Sequence, residues 1–113
     1  MRLILPLLVL FPLLALPQEH EPKNLKILKA EQIQPAMKAF SAALGVKCAF
    51  CHVEGDFASD DKHHKVVARE MMVMTHEING HFPDGKMHVT CFTCHRGAEQ
   101  PVAHPGGGEA EKH

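Results

Sequence analysis

The 113-residue sequence predicts a mainly α-helical domain that contains the same unit twice. Each unit is an amphipathic helix followed by a glycine-containing turn and the pattern Val-x-Cys-x-x-Cys-His. The pattern runs from Val46 to His52 and again, with the same spacing, from Val89 to His95. Apolar residues at helical periodicity precede both copies, which favours helices over strands.

The N-terminal segment, residues 1–17, has the features of a secretory signal peptide. Arg2 makes its start basic, and the apolar run from Leu3 to Leu16 is shorter than the about 20 residues that a membrane-spanning helix needs. The first cysteine is Cys48, so we expect no lipid-anchor cysteine at the end of the signal. The sequence therefore predicts export to the periplasm, and the alternative is an uncleaved N-terminus that associates with the membrane or a fully extracellular protein.

Residues 18–23 are polar and contain a proline, which indicates a linker. A short strand is expected at Leu25 to Ile27, where apolar and polar residues alternate. The first helix opens near Pro35, which suits a first helical turn, and Gly45 is placed to end it in a left-handed conformation. Its apolar face comprises Met37, Phe40 and Leu44.

The second helix is expected between Asp60 as N-cap and Gly80 as the stop. One buried stripe is expected along it, formed by Val67, Met71, Met74 and Ile78. A loop from His81 to Met87, with a turn at Pro83-Asp84-Gly85, then leads to the second cysteine pair. We expect the folded domain to span residues 24–101 and residues 102–113, which include three consecutive glycines, to form a flexible tail.

The duplicated Cys-x-x-Cys-His pattern is the attachment signature of c-type haem. Two thiols at this spacing form thioethers with the two vinyl groups of one porphyrin, and the next histidine binds the iron. The sequence thus predicts two covalently bound haem c groups and a small multihaem cytochrome c fold. The predicted thioether cysteines are Cys48, Cys51, Cys91 and Cys94, and the predicted proximal iron ligands are His52 and His95.

Other uses of the four cysteines explain the sequence less well. Paired cysteines of a zinc site usually stand about 15 to 20 residues apart, whereas these pairs are separated by everything from His52 to Thr90. A thioredoxin-like pair or a disulfide framework gives no reason for a histidine to follow each pair.

Composition agrees with a cofactor-dependent core. The chain has no Trp, no Tyr and six Phe, so its own side chains make a thin core, to which two macrocycles would add large apolar surfaces. Twelve basic residues against 13 acidic ones argue against a nucleic-acid partner.

The sixth iron ligand decides between electron transfer and small-molecule chemistry, because an open face can bind substrates or gases. Met37 and Met74 each lie on the apolar face of a helix that precedes an attachment motif, although methionine in such a stripe is more often core packing. The rival ligands are histidines, which would otherwise be solvated: His63, His64, His76, His81 and His88.

Three segments carry a resemblance to a known family: Leu44 to His52, Ala68 to Asn79, and Val89 to Gly97. They include Met-x-x-x-Ile-Asn and Cys-x-x-Cys-His-Arg-Gly, and they resemble the photosynthetic reaction-centre cytochrome c subunit family. The resemblance implies that Met37 is the distal ligand of the haem held by His52, and Met74 that of the haem held by His95, with Met71 as the nearest alternative. Family members of this type carry four haems, so a dihaem chain resembles about half of one.

We therefore expect a one-electron carrier rather than an enzyme, working between other cytochromes or a membrane oxidoreductase complex. Candidate charges near the haem propionates are Lys65, Arg69 and Arg96. The alternative for each is an ordinary solvated cation, and this is the favoured expectation for Lys65. The alternatives are a haem enzyme or gas sensor with one open coordination site, and an obligate subunit of a membrane electron-transfer complex. The sequence does not predict the oligomeric state.

Overall fold

Four helices form the part of the chain that the computed structural model describes, residues 21–102 and 104–105. A 3₁₀ turn, Ala30–Gln32, leads into them; the helices are Ile33–Leu44 (α1), Cys48–Cys51 (α2), His63–Gly80 (α3) and Cys91–His95 (α4). No strand occurs among these residues, so the mainly helical prediction is confirmed. The predicted signal peptide, and most of the predicted tail, lie outside the described residues.

Helix α1 begins at Ile33, two residues before the predicted start, and ends as expected. Gly45 follows it with φ of 66°, in the left-handed region that favours glycine, and the next backbone N–H, of Val46, donates to the Ser41 carbonyl at 3.2 Å. The chain therefore reverses sharply here and enters the first cysteine motif almost at once.

The short strand expected at Leu25 to Ile27 is wrong. This segment is irregular, because its polar residues are used for side-chain contacts with a distant loop. Asn24 donates to the Ala58 carbonyl at 2.7 Å, and the Lys26 ammonium contacts the Asp60 carboxylate at 3.0 Å. These contacts fasten the start of the domain to the loop before α3 without a backbone ladder.

Helix α3 begins at His63, with Lys62 as its N-cap, so the prediction that Asp60 is the N-cap is wrong. The Asp60 carboxylate instead faces three cations, Lys26, Lys65 and Arg69. These tertiary ion pairs compete with capping for the same two oxygens. The predicted end at Gly80 agrees with the structure.

The described residues bury little apolar surface among themselves. Ala43 of α1, 3% exposed, is the buried hydrophobic residue, and the expected stripe on α3 is not buried: Met71, Met74 and Ile78 are 40%, 43% and 37% exposed. The periodicity of the stripe is real, but no protein element of the described region covers it. Exposed apolar patches of this kind mark ligand-binding or interaction surfaces.

Two glycines join the halves of the domain. The Gly97 N–H donates to the Ala43 carbonyl at 2.8 Å, and a Cβ atom on Gly45 would collide with the Gly97 carbonyl oxygen. Gly45 stands three residues before Cys48, and Gly97 follows His95 by two. The backbone of the second motif therefore packs directly on the turn that leads into the first.

Candidate functional site

The first motif forms one helical turn and then leaves it. Helix α2 carries both cysteines, and His52 follows with an extended backbone, its N–H donating to the Cys48 carbonyl at 2.9 Å. The His52 Nδ1 atom lies 3.0 Å from the Phe57 carbonyl oxygen, and the Phe57 ring meets the imidazole edge-on with centroids 5.2 Å apart. The turn between them brings the chain back over the histidine.

The second motif reaches the same arrangement by another route. Helix α4 begins after Thr90, whose N–H donates to the Thr93 hydroxyl at 2.9 Å, and it includes His95. Arg96 then adopts a left-handed conformation with φ of 52°, which turns the chain so that the Ala98 carbonyl lies 3.0 Å from His95 Nδ1.

Both hydrogen bonds fix the tautomer of the histidine ring. A carbonyl oxygen only accepts, so Nδ1 carries the proton in His52 and in His95, and Nε2 keeps its lone pair. A metal-binding histidine commonly donates its other ring N–H in this way, which orients the ring and raises its basicity. In both rings Nε2 is therefore the atom that could bind a metal ion.

The four thiols also suit covalent attachment, because none of them forms a disulfide. Burial raises the pKa of the Cys51 thiol, against the opposing charge of Lys62, and burial raises the pKa of Cys91. Within residues 21–102 and 104–105, no three His, Cys, Asp or Glu side chains cluster as a bare metal site would require. Two thiols and a histidine on one short turn fit a haem better than a tetrahedral zinc site.

Asn79, near the end of α3, fastens the segment that enters the second motif. Its side-chain amide donates to the Val89 carbonyl at 2.7 Å and to the Thr75 carbonyl at 2.9 Å. Its side-chain oxygen accepts from the backbone N–H groups of His88 and Val89 at 2.8 and 2.9 Å. One amide therefore sets the position of the backbone two residues before Cys91.

A cationic cluster lies beside the first motif. The Lys65 ammonium donates to the carbonyls of Phe57, Ala58 and Ser59 at 2.8, 2.8 and 2.7 Å, and its side chain is only 12% exposed. The expectation of a solvated Lys65 is therefore wrong. Hydrogen bonding, with Asn24 the largest contributor and Lys26, Lys65 and Arg69 after it, holds the pKa of Asp60 well below its usual range.

Comparison with known proteins identifies the family. The profile of the photosynthetic reaction centre cytochrome C subunit family matches residues 23–104. The chain belongs to this family. The resemblance inferred from the motifs is thereby confirmed, and so is a small helical cytochrome c fold.

Individual relatives agree. The chain is 39% identical to the photosynthetic reaction center cytochrome c subunit of Thermochromatium tepidum, over 73% of this chain and 22% of that protein. It is 44% identical to the subunit of Roseobacter denitrificans over 48% of this chain and 17% of the relative, and 36% identical to cytochrome c-554 of Chloroflexus aurantiacus over 63% and 19%. The match thus spans about a fifth of the length of these relatives. No solved structure matches the chain.

Membership makes the protein a c-type cytochrome, a class that holds its haem covalently. Among the residues that the structure describes, no helix combines the length and the apolar character needed to cross a membrane.

The candidate distal ligands of this cytochrome lie on two helices. Met37 is half-buried on α1, and Met74 and Met71 are exposed on α3, where a planar group could contact them. Two of the rival histidines have other contacts. His64 stacks on Phe50 at 4.0 Å, and the Nε2 atom of His88 is 2.9 Å from the Asp84 carboxylate. Both methionine assignments stay predictions.

The two arginine candidates for propionate partners differ in environment. The Arg69 guanidinium already contacts Asp60 at 2.9 Å and the Asn24 carbonyl at 3.2 Å. Arg96 is exposed directly after His95, and with Cys94 it lines an open hollow of about 610 Å³. The structure therefore favours Arg96 over Arg69 as a group that is available to an anionic ligand.

Sequence reasoning missed the groups that orient the histidines. The carbonyls of Phe57 and Ala98 leave no trace in side-chain chemistry, because they are set by loop conformation. Asn79 did have a signal: it is a polar amide that ends an apolar helical stripe just before Gly80.

Proposed function

We propose that this protein is a dihaem c-type cytochrome that carries single electrons between redox proteins in the periplasm. The observation that supports it best is that both histidines are oriented by the same kind of hydrogen bond. His52 and His95 each follow two free thiols, and each has Nδ1 fixed by a backbone carbonyl at 3.0 Å. A chain with one working site would not need this orientation twice.

Each group of residues has a distinct task in the proposal. Cys48, Cys51, Cys91 and Cys94 hold the two haems, and the two histidines bind iron through Nε2. When bound, each haem supplies a one-electron couple. Met37 and Met74 close the far faces, which excludes exogenous ligands and restricts the protein to electron transfer.

The junction between Gly45 and Gly97 supports close placement of the two haems. It joins the start of one attachment motif to the end of the other through backbone contacts. Since electrons move between cofactors only over short distances, two sites held in this way can serve as one relay.

The partners we propose are other cytochromes or a membrane oxidoreductase complex, and nucleic acid is not among them. Several relatives are named as reaction-centre subunits, which favours a second possibility, that the chain works as part of a membrane complex. We further propose that residues 1–17 are a signal peptide, 18–23 a linker, 24–101 the dihaem domain and 102–113 a flexible tail. The dihaem, half-length relation to tetrahaem subunits also stays a proposal.

The haem number is tested by the intact mass of the protein after acid–acetone extraction, expressed in a host that matures c-type cytochromes. We expect a mass increase of two haems per chain. Fewer than two would refute the dihaem assignment.

Carbon monoxide separates the carrier from the haem enzyme or gas sensor. The reduced native protein should bind it weakly, because both irons have two protein ligands, while small redox agents should reduce and reoxidise the protein quickly. Tight stoichiometric binding, or peroxide turnover well above that of free haem, would support the enzyme or sensor. Co-purification with a membrane partner would identify the subunit role.

A further inference from the structure

The two histidines make the same hydrogen bond, but their acceptors are not equivalent. The Phe57 carbonyl accepts from His52 Nδ1 at 3.0 Å and also from the Lys65 ammonium at 2.8 Å. The Ala98 carbonyl accepts from His95 Nδ1 at 3.0 Å and has no ammonium partner among the hydrogen bonds of the described residues. The two sites thus share the histidine-to-carbonyl hydrogen bond, and the first adds an ammonium on the same carbonyl oxygen.

From this difference we propose that Lys65 raises the reduction potential of the haem held by His52, acting through the Phe57 carbonyl. The proposal deepens the proposed function and depends on it, because it assumes that His52 binds haem iron. Lys65 does not touch the haem ligand itself; it acts on the group that orients the ligand.

The direction follows from how a hydrogen bond tunes a ligand. A histidine that donates Nδ1–H to a strong acceptor becomes more basic and stabilises ferric iron. A carbonyl that is already bound by an ammonium is a weaker acceptor, because the cation draws on the same oxygen. His52 is therefore the less basic ligand, and the ferrous state at its iron gains relative to the ferric state.

The charge of Lys65 acts in the same direction. The Lys65 Nζ and the His52 Nδ1 atoms lie close together, because both contact the Phe57 carbonyl oxygen, at 2.8 and 3.0 Å. The Lys65 side chain is only 12% exposed, so solvent screens its charge poorly. Asp60 offsets part of this charge at 3.2 Å, but the same carboxylate also faces Lys26 and Arg69, so these four groups together carry a net positive charge.

The test is Lys65→Met in the full holoprotein, with both potentials followed by spectroelectrochemical titration. The change removes the ammonium and keeps an unbranched side chain. We expect the ferrous-to-ferric equilibrium of one haem to shift about tenfold toward ferric, which for one electron lowers its potential by about 59 mV. The potential of the other haem should stay in place.

Lys26→Met is the matched control. Lys26 contacts the same Asp60 carboxylate at 3.0 Å, but its side chain is 58% exposed and it makes no hydrogen bond to the Phe57 carbonyl. Its loss should shift the equilibrium less than about threefold. Lys65→Arg, which keeps the charge and can still donate, should restore most of the native potential.

A further variant guards against misfolding. Lys65→Gln keeps two neutral N–H donors for the carbonyls that the ammonium binds, and it should also lower the potential of this haem. The proposal is overturned if neither Lys65→Met nor Lys65→Gln moves the potentials, or if Lys26→Met shifts them as much. Met74→Ala assigns the two steps, since the haem held by His95 should respond to it; a Lys65 effect on that haem would also overturn the proposal.

Haem counting keeps the two hypotheses apart. If only the haem held by His52 is present, the dihaem function fails, yet the effect of Lys65 is still measured there. If that haem is absent, the tuning role fails as well. If both haems are present and the Lys65 variants have native potentials, only the tuning role fails.

Discussion

Replacement of Asn79 by alanine tests whether α3 positions the second attachment motif. The substitution removes four hydrogen bonds, of which three join the helix to His88 and Val89. Each hydrogen bond contributes about 1 kcal/mol net, and water would replace part of the loss at this half-exposed site. We expect Asn79→Ala to lower the free energy of unfolding by about 2 to 3 kcal/mol.

Guanidinium denaturation of the purified holoprotein, followed by far-UV circular dichroism, measures this loss. The intact mass of the expressed protein supplies a second readout. Because the segment released by the substitution leads directly to Cys91, the fraction of chains that lack one haem should rise, and that haem should be the second one. Attachment at Cys48 and Cys51 should be unaffected.

Thr75→Val is the control on the same helix. The Thr75 hydroxyl donates to the Met71 carbonyl at 2.8 Å, a local bond within the helix that leaves the second motif untouched. It should change the free energy of unfolding by less than about 0.5 kcal/mol. The positioning role of Asn79 is refuted if Asn79→Ala and Thr75→Val have equal stability and equal haem content.

Three further outcomes are expected. Met74→Ala should abolish the ferric methionine-to-iron charge-transfer band and lower one potential; an unchanged spectrum, with Met71→Ala altering it instead, would move the ligand by one turn. A left-handed backbone costs a residue other than glycine about 1 to 2 kcal/mol, and Gly45→Ala should lower the free energy of unfolding of the holoprotein by more than this, because the new Cβ also meets a carbonyl. Gly85→Ala is the control: it has open space around it and should lose only the cost of the left-handed backbone. Thermal unfolding of the two variants measures the difference. The pKa of Asp60 is lowered in the folded protein, so its contribution to stability is complete above the usual carboxyl range and is lost as the pH falls through the folded pKa. The free energy of unfolding should therefore decline in acid less steeply for Asp60→Asn than for the native chain. Parallel curves for the two proteins would contradict this.

Helix ends were predictable wherever one residue type decides them. Gly45 ends α1 in a left-handed conformation that glycine adopts at little cost, whereas Gly80 is the last residue of α3 and is followed by a right-handed cap at His81. Asp60 was not predictable in the same way. Its carboxylate suits a cap, but it binds cations that lie up to 34 residues away in the chain, and local sequence carries no information about them.

The stripe on α3 shows a different limit of sequence reasoning. Periodicity correctly places Met71, Met74 and Ile78 together, since apolar side chains at helical spacing share one face. It reports which residues avoid water, and it does not report what covers them. The described residues leave this stripe exposed, and the expectation that one of its methionines binds haem iron stays a prediction.

The two units repeat their chemistry more closely than their structure. His52 leaves its helix and finds an acceptor five residues later, whereas His95 stays in its helix and finds one three residues later, after a left-handed turn at Arg96. The spacing of cysteines and histidine must be the same in both, because the porphyrin fixes it. The backbone that orients each histidine is free to differ, since any carbonyl at the right place will serve. Each loop brings its own neighbours: the Phe57 carbonyl also binds the Lys65 ammonium, whereas the Ala98 carbonyl has no such partner among the residues that the structure describes. A duplicated motif can therefore yield two sites with unequal electronic properties.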